Sequence, residues 1–308
     1  MKKIILSIFT LTFLCIGCNN QPAYKNTNLS AEERAEALLK ELTLEEKVSL
    51  MMNTSTPVER LGIKAYDWWN EALHGIARNG LGTVFPMPIG MAASFDPVAL
   101  HDVFVTVSDE ARAKNTKAVQ EGGSKQYQGL TVWTPNINIF RDPRWGRGME
   151  TYGEDPYLTS QLGMAVVRGL QGDNKDGVIK ALACAKHYAI HSGPESSRHS
   201  FDAVVSERDL WETYLPAFKD LITKADVKQV MFAYNRMFGI PAGANERFMR
   251  DILEKDPTVT IISVSQNDNW NYCKCEKCAA TDAEEGSPAG TLLRFVNAVA
   301  DDIAGDYP

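Results

Sequence analysis

Two segments of this chain concentrate the side chains that could do chemistry. The first runs from Asn138 to Pro156 and places several arginines and carboxylates beside an apolar run, Leu130–Phe140. The second, Ala181–Tyr188, ends another apolar run with Lys186 and His187. Barrel enzymes keep their chemistry at the ends of such apolar strands, and hydrogen bonds to ionised groups are about twice as strong as neutral ones. The expected chemistry is therefore the binding of a polar ligand through charged side chains.

Alternating helices and strands must position these segments. Capping boxes at Ser30-Ala-Glu-Glu33 and Thr43-Leu-Glu-Glu46 start two helices, and proline at the first helical position starts two more, at Asp96-Pro97 and Asp155-Pro156. Helices are predicted over residues 31–42, 43–52, 97–119, 156 to 169 or 172, 206–224 and 246–253. Strands are predicted over residues 131–139, 178–184 and 227–234. This alternation is typical of repeated βα units on a parallel sheet.

The composition is that of a globular protein, with 44% apolar and 23% charged residues among 308. The net charge of −7 and the pI of about 5.4 argue against nucleic acid as a partner, because its phosphate backbone selects basic surfaces.

The motifs N-I-F-R-D-P-R-W-G-R-G-M-E-T-Y-G-E-D-P and A-L-A-C-A-K-H-Y resemble the N-terminal barrel domain of glycoside hydrolase family 3. Members of that family remove single sugars from the non-reducing ends of oligosaccharides. The resemblance covers about residues 29–253. It implies an α/β fold, the first part of a (β/α)₈ TIM-barrel-like domain, with an oligosaccharide or aryl glycoside as substrate and no cofactor.

The resemblance also implies a set of sugar-binding residues. An aromatic ring covers the apolar face of the sugar, charged groups bind its hydroxyls, and a tyrosine orients the nucleophile. The matching positions are Trp69, Glu71, Arg147, Lys186, His187, Arg198, Met231 and Tyr234.

Plainer interpretations of these residues exist. Trp69 and its neighbour Trp68 would be core aromatics beside a solvated glutamate, and Lys186-His187 would be a salt-bridged loop pair. Arg144 and Asp142 are expected to hold their loop together by ion pairs rather than to contact substrate.

Glu71 bears on specificity. Family members that prefer glucose commonly have Asp at this position, whereas the W-N-E-A-L-H-G setting of Glu71 resembles the β-xylosidase and α-L-arabinofuranosidase branch. The additional methylene would fill the space that the C6 group of glucose needs. The expected substrates are terminal β-D-xylosyl, α-L-arabinofuranosyl or β-D-glucosyl residues of plant-polysaccharide oligosaccharides.

The family uses a retaining mechanism, in which one carboxylate attacks the anomeric carbon and a second, about 5–5.5 Å away, transfers protons. The nucleophile is an Asp in a V-S-D sequence, and here Val264-Ser265 is followed by Gln266. Asp268 lies two residues further, which is about 6.6 Å along a strand, so only a bulge or loop would bring it into reach.

The second carboxylate also departs from the family pattern. Most members take it from a following α/β sandwich domain, and one subgroup uses an Asp-x-His pair. The matching positions are Ser197-Arg198-His199, so His199 is present without its carboxylate. Two hypotheses follow: a family-type hydrolase in which Asp268 or another group is the nucleophile, or a sugar-binding pseudoenzyme or truncated or chimeric fragment.

The tail, residues 254–308, resembles part of an uncharacterised domain of secreted bacterial carbohydrate-related proteins. It is predicted to be a short, fused α/β segment of different origin. Zinc binding by its cysteines would need a fourth ligand, and no nearby His supplies one. A disulfide with one spare thiol is the favoured interpretation in an oxidising envelope. The three cysteines are Cys273, Cys275 and Cys278.

Residues 1–18 have the features of an export signal: Lys2-Lys3, an apolar core and Gly17-Cys18. The last pair resembles the bacterial lipoprotein signal, in which Cys18 is lipidated, and residues 19–28 are then a polar tether. A plain secretory signal is the alternative. The sequence predicts an exported cell-envelope lipoprotein of the periplasm or outer membrane of a Gram-negative bacterium. Its membrane contact would be through the lipid anchor alone.

Overall fold

The computed structural model describes residues 21–172, 178–253, 261–263 and 276–284. The chain divides into two compact units, Met1–Met52 and Asn53–Pro308. Among the described residues, none of the helices combines the length and the apolar character that a membrane crossing requires.

The first unit contains two capped helices, α1 (Ala31–Glu41) and α2 (Leu44–Leu50). The Ser30 side chain accepts a hydrogen bond from the Glu33 backbone N–H, and the Glu33 carboxylate accepts one from the Ser30 N–H. The same reciprocal pair begins α2 at Thr43. Both predicted capping boxes are confirmed.

The second unit contains the remaining elements. Its helices are α3 (Pro88–Ala92), α4 (Pro97–Gln120), α5 (Pro156–Gln171), α6 (Glu207–Asp209), α7 (Pro216–Thr223) and α8 (Glu276–Glu284). Its strands are β1 (Thr54–Ser55), β2 (Tyr66–Asp67), β3 (Cys184–Tyr188), β4 (Asp202–Ala203), β5 (Gln229–Phe232), β6 (Arg236–Met237), β7 (Ile240–Pro241) and β8 (Ile261–Ser263).

Successive chain segments run parallel to one another, as a barrel requires. β3, β5 and β8 form a parallel sheet in that order. Isolated parallel bridges extend the order on the other side, from Leu182 to Thr131 and from Val132 to Asn70. Five segments thus follow one another in chain order, with α4, α5 and α7 in the connections. This is the α/β, TIM-barrel-like architecture that the sequence predicts.

The helices begin where the sequence places them, because aspartate side chains cap them. The Asp96 carboxylate accepts hydrogen bonds from the N–H groups of Val98 and Ala99. The Asp155 carboxylate accepts one from Leu158 N–H at 2.6 Å. α5 ends at Gln171, and the next residue, Gly172, has a φ of +74° that suits a residue without a side chain.

The predicted strand over residues 131–139 is wrong as a continuous element. The segment is buried, but it contributes only isolated bridges, at Thr131, Val132 and Asn136. Thr134 N–H turns back to Val132 O at 2.8 Å, and Pro135 has no N–H to donate, so a regular ladder cannot pass this point.

The predicted strand over residues 178–184 is displaced. The strand that forms, β3, begins at Cys184 and continues through Lys186 and His187. The preceding residues instead join the end of α5, since Lys180 N–H donates to Gln171 O. The apolar residues on which the prediction was based precede the strand. The residues that pair with β5 include the charged Lys186, whose side chain has a partner in the site.

The long helix predicted over residues 206–224 forms in three parts. A π-helical turn, Leu210–Tyr214, separates α6 from α7. Leu215 N–H bonds to Leu210 O, and Pro216 offers no N–H, so the α-helical ladder is interrupted there. The helix predicted over 246–253 is likewise a π-helical segment, Arg247–Leu253.

A glycine sets the distance between α4 and α5. A Cβ added at Gly169 would lie 2.7 Å from His101 O and 2.8 Å from Phe104 Cβ. Ser108 Oγ on α4 donates to Gly169 O at 3.0 Å. The two helices therefore pack backbone to backbone against the sheet.

We expect Gly169→Ala to lower the free energy of unfolding by about 1–3 kcal/mol, because the added methyl overpacks this contact. Gly90→Ala is the matched control. Gly90 is an exposed helical glycine whose Cβ would meet only Pro86 Cβ at 3.7 Å, so its replacement should leave stability unchanged or raised. Urea unfolding of both variants measures the difference, and equal midpoints would contradict the packing account.

Candidate active site

The backbone register aligns residues of four parallel segments at one level of the sheet. Asn136 pairs with Lys186, Lys186 with Met231, and Met231 with Ser263 in the backbone register. Four neighbouring segments therefore present residues side by side. Gln266 comes three residues after Ser263 in the chain, outside the described residues.

A buried ion pair forms the first part of the site. The Lys186 side chain is 2% exposed, and its Nζ lies 3.3 Å from Glu71 Oε2. An unpaired ammonium would be strongly destabilising there, so the glutamate compensates it. Asn70 fixes the glutamate, since its Oδ1 accepts from Glu71 N–H and its Nδ2 donates to Gly129 O.

Arg147 forms the second part of the site. Its Nε and Nη2 donate to the two carboxylate oxygens of Glu150 at 2.9 and 2.7 Å, and its Nη1 lies 2.9 Å from His187 Nε2. A guanidinium has five N–H donors. Three are used here, which leaves two N–H groups in a fixed orientation for a ligand that carries hydroxyls.

Hydrogen bonds determine the tautomer of His187. Arg147 can only donate, so His187 Nε2 accepts and its Nδ1 carries the proton. That Nδ1–H donates to Asn138 Oδ1 at 3.0 Å. Asn138 also accepts from His187 N–H and donates to His187 O and Ala189 O. His187 is therefore held as a neutral imidazole.

A β-bulge explains how two consecutive residues reach the same site. Side chains alternate between the faces of a regular strand. In β3, however, Lys186 pairs with Met231 and Tyr188 with the next residue, Phe232, so His187 is the extra residue. Bulges re-aim side chains next to active sites. Lys186 and His187 both face the site, while Tyr188 packs against Phe218 in the core.

Burial and charge set the protonation states. Burial lowers the pKa of His187 well below its usual value, and the nearby Arg147 adds to the effect. Burial acts to raise the pKa of Glu150, but the hydrogen bonds from Arg147 outweigh it and the pKa is lowered. Glu150 is thus held ionised beside Arg147, and His187 is held neutral.

Aromatic rings line the rest of the site. Trp133 lies 5.4 Å from Trp68 and 6.1 Å from Trp69 between ring centroids. Met231 and Tyr234 belong to the same apolar cluster. Trp69 is half-buried and packs against this cluster.

Tyr234 is surrounded by three imidazoles. Ring centroids of His187 and His191 lie 5.9 Å from it, and that of His199 lies 5.5 Å away. His191 donates from Nδ1 to Asn235 Oδ1 at 2.7 Å, since the amide oxygen only accepts. His199, the residue predicted from the Asp-x-His pattern, is exposed, and its contact with the site is the one with the Tyr234 ring.

Arg198 approaches from a separate loop. Its Nη1 lies 3.3 Å from Glu195 Oε1, and its charge helps to lower the pKa of His187 after burial and Arg147. The expected loop pair is also present, since Arg144 bonds Asp142 at 2.8 Å. The hydrogen bonds from Arg144 lower the pKa of Asp142 to about 2.

The structure brings together Trp69, Glu71, Arg147, Lys186, His187, Arg198, His199, Met231 and Tyr234. Cys184 is a buried thiol. Other predicted residues lie outside the described part of the chain: Cys18, Gln266, Asp268, Cys273 and Cys275. Cys278 falls in α8, where its side chain is not described. Within the described ranges, no group of three or more His, Cys, Asp or Glu side chains could hold a metal.

Sequence reasoning missed the residues that hold the sugar-binding candidates in place. They are Asn136, Asn138, Glu150, His191, Glu195 and Asn235. Glu150 had a local signal, since it lies three residues after Arg147 in a helical turn. Asn138 had no local signal, because its partners His187 and Ala189 lie 49 and 51 residues away in the chain.

The profile of the Glycosyl hydrolase family 3 N terminal domain matches residues 34–265. The chain belongs to this family. The match extends beyond the resemblance over 29–253 and includes β8, which pairs with β5. It ends one residue before Gln266.

Curated relatives within family 3 are similar over most of this chain. A "Xylan 1,4-beta-xylosidase" of Xylanibacter ruminicola is 51% identical over 255 residues, covering 81% of this chain and 30% of the relative. A "Beta-xylosidase/alpha-L-arabinofuranosidase 1" of Medicago sativa subsp. varia is 39% identical, covering 98% of this chain and 42% of the relative. The chain thus spans less than half the length of these relatives.

Solved family 3 structures share the fold. A "GH3 exo-beta-xylosidase" in complex with a xylobiose aziridine activity-based probe superposes with a TM-score of 0.68 at 38% identity, covering 77% of this chain and 31% of that one. A β-glucosidase 3B from Thermotoga neapolitana in complex with α-D-glucose gives a TM-score of 0.61 at 27% identity, covering 77% and 34%.

Burial lowers the pKa of His191 from its ordinary value of 6.5 to about 4, against the opposing hydrogen bond to Asn235. Between these values the unfolded state binds the proton and the folded state does not. We therefore expect stability to be complete above pH 6.5 and to fall as the pH drops towards 4, by about 3 kcal/mol from this group.

Urea unfolding between pH 4.5 and 7.5 measures the effect. His191→Asn should reduce the slope of the unfolding free energy against pH, and His187 would retain its own contribution of the same sign. An unchanged slope in the variant would contradict the assignment of His191 as a buried neutral imidazole.

Proposed function

We propose that this family 3 chain is an exo-acting, retaining glycoside hydrolase that removes terminal β-D-xylosyl residues from plant-polysaccharide oligosaccharides. α-L-Arabinofuranosyl and β-D-glucosyl groups are the related substrates. One observation carries the proposal: Lys186–Glu71 and Arg147–Glu150 form two compensated ion pairs at the same end of the parallel segments.

The geometry supports recognition of a single sugar residue. Arg147 retains two N–H donors, and the Lys186 ammonium retains further donors beyond its bond to Glu71. Glu71 is 28% exposed, so it can also accept hydrogen bonds from ligand hydroxyls. A half-buried Trp69 provides an apolar face. Charged donors, a carboxylate acceptor and an aromatic surface together match the alternating polar edge and apolar face of a pyranose.

The choice of xylose rests on Glu71. Its carboxylate lies 3.3 Å from Lys186 Nζ, and a side chain one methylene longer than Asp would fill space that the C6 group of glucose needs. Both curated relatives described above are named as xylosidases, one of them also as an α-L-arabinofuranosidase. The glucosidase among the solved structures is more distant, at 27% identity.

Retaining hydrolysis needs a carboxylate that attacks the anomeric carbon and an acid that protonates the leaving oxygen. Asp268 is our candidate nucleophile, and the exposed His199 beside Tyr234 is our candidate for proton transfer. A second candidate function, sugar binding without turnover, is favoured by Gln266, since a neutral amide cannot form a glycosyl ester.

Hydrolysis of aryl β-xyloside, β-glucoside and α-L-arabinofuranoside by the purified chain separates the two candidates. We expect fastest turnover of the β-xyloside and its loss in Asp268→Asn. Arg147→Ala and Lys186→Ala should each abolish xylobiose binding, because each removes charged donors and leaves a carboxylate uncompensated. The control Arg208→Ala removes an exposed surface pair and should bind normally.

The outcomes are distinct. A folded chain that binds xylobiose without turnover would establish the binding candidate and exclude the hydrolase. Retained xylobiose affinity in both Arg147→Ala and Lys186→Ala would mean that the sugar binds elsewhere, which would contradict both candidates.

We further propose that the chain is a lipoprotein of the bacterial cell envelope, anchored through Cys18. The positive start, short apolar core and Gly17-Cys18 support this. Cys18→Ala should move the protein from the membrane fraction to the soluble exported fraction in a Gram-negative host, because the acyl chains are lost. Unchanged membrane association of the variant would contradict lipidation at Cys18.

A further inference from the structure

Glu195 connects the two loops that carry the arginines of the site. Its carboxylate Oε2 accepts a hydrogen bond from Gly146 N–H at 3.0 Å, and its Oε1 lies 3.3 Å from Arg198 Nη1. Its own backbone N–H donates to Arg144 O at 3.0 Å. Gly146 directly precedes Arg147, so one side chain contacts both arginine-bearing loops.

The contact with the first loop is close. A Cβ added at Gly146 would lie 2.7 Å from both Cδ and Oε2 of Glu195. Any side chain at position 146 would therefore push the carboxylate away from the Gly146 N–H. The absence of a side chain at Gly146 is what allows the carboxylate to reach the backbone.

The contact with the second loop orients Arg198. Glu195 opens a 3₁₀ turn, Glu195–Ser197, and Arg198 N–H bonds back to Glu195 O at 3.2 Å. With Nη1 on the carboxylate, Arg198 Nε is buried and has no hydrogen-bond partner. The guanidinium is close enough to the site for its charge to act on His187 and His191.

We propose that Glu195 is a positioning residue that fixes Arg198 and the Arg147 loop relative to each other, so that the Arg198 guanidinium is held in place for the sugar. The sugar-binding half of this inference rests on the proposed function, while the connection between the loops does not. Each cation of the site then has its own carboxylate: Glu71 for Lys186, Glu150 for Arg147 and Glu195 for Arg198.

Amide hydrogen exchange tests the connection without a ligand. In Glu195→Ala, exchange of the Gly146 amide and of the loop amides on both sides should accelerate at least about tenfold, because the Gly146 N–H loses its acceptor and the two loops lose the side chain that joins them. Gly146→Ala should produce the same acceleration by displacing the carboxylate. The control is Glu121→Ala, which removes an exposed ion pair with Lys117 at the end of α4. Unchanged exchange in Glu195→Ala would overturn the inference.

A double-mutant cycle tests the positioning of Arg198. With xylobiose as the probe, Glu195→Ala should weaken binding roughly tenfold, and the double variant Glu195→Ala, Arg198→Ala should bind no more weakly than Arg198→Ala alone. Glu195→Gln keeps an acceptor for Gly146 and should recover part of the affinity. A merely structural role predicts additive effects, which would overturn the inference.

The two readouts separate the inference from the proposed function. If the unmodified chain binds no xylobiose, the proposed function fails and the exchange measurement alone decides whether Glu195 connects the loops. If xylobiose binds normally in Glu195→Ala, the proposed function stands and the positioning role is wrong.

Discussion

The site depends on the burial of a lysine ammonium beside a carboxylate. Lys186 is 2% exposed and lies in the middle of β3, so its charge is tolerable only with Glu71 in place. Glu71 lies 115 residues earlier in the chain. The pair therefore forms only when the first three parallel segments have assembled, because the second segment lies between the first and the third.

The remaining charges follow the same rule, because each cation carries its own carboxylate. Arg147 has Glu150, and Arg198 has Glu195. A carboxylate beside each cation removes the cost of an isolated charge, and the N–H groups that the carboxylate does not use remain available to a ligand. A neutral His187 between the arginine and Asn138 completes the arrangement. Such a site offers many hydrogen bonds and little net charge, as an uncharged sugar requires.

Those parts of the fold and of the site that depend on neighbouring residues in the chain could be predicted from the sequence. Capping residues such as Asp96 and Asp155 gave the starts of α4 and α5 correctly. The strands were harder, since Pro135 interrupts one segment and β3 passes through charged residues. Residues that act by long-range pairing left no local pattern, so the roles of Asn138 and of Glu195 against Gly146 became visible only in three dimensions.

A crystal structure of the chain with xylobiose tests the central claim most directly. The account predicts the non-reducing xylose against Trp69, with its hydroxyls about 3 Å from the remaining Arg147 N–H groups and from Lys186 Nζ, and with both ion pairs intact. A sugar bound away from these residues, or one that enters only after Lys186 separates from Glu71, would contradict it.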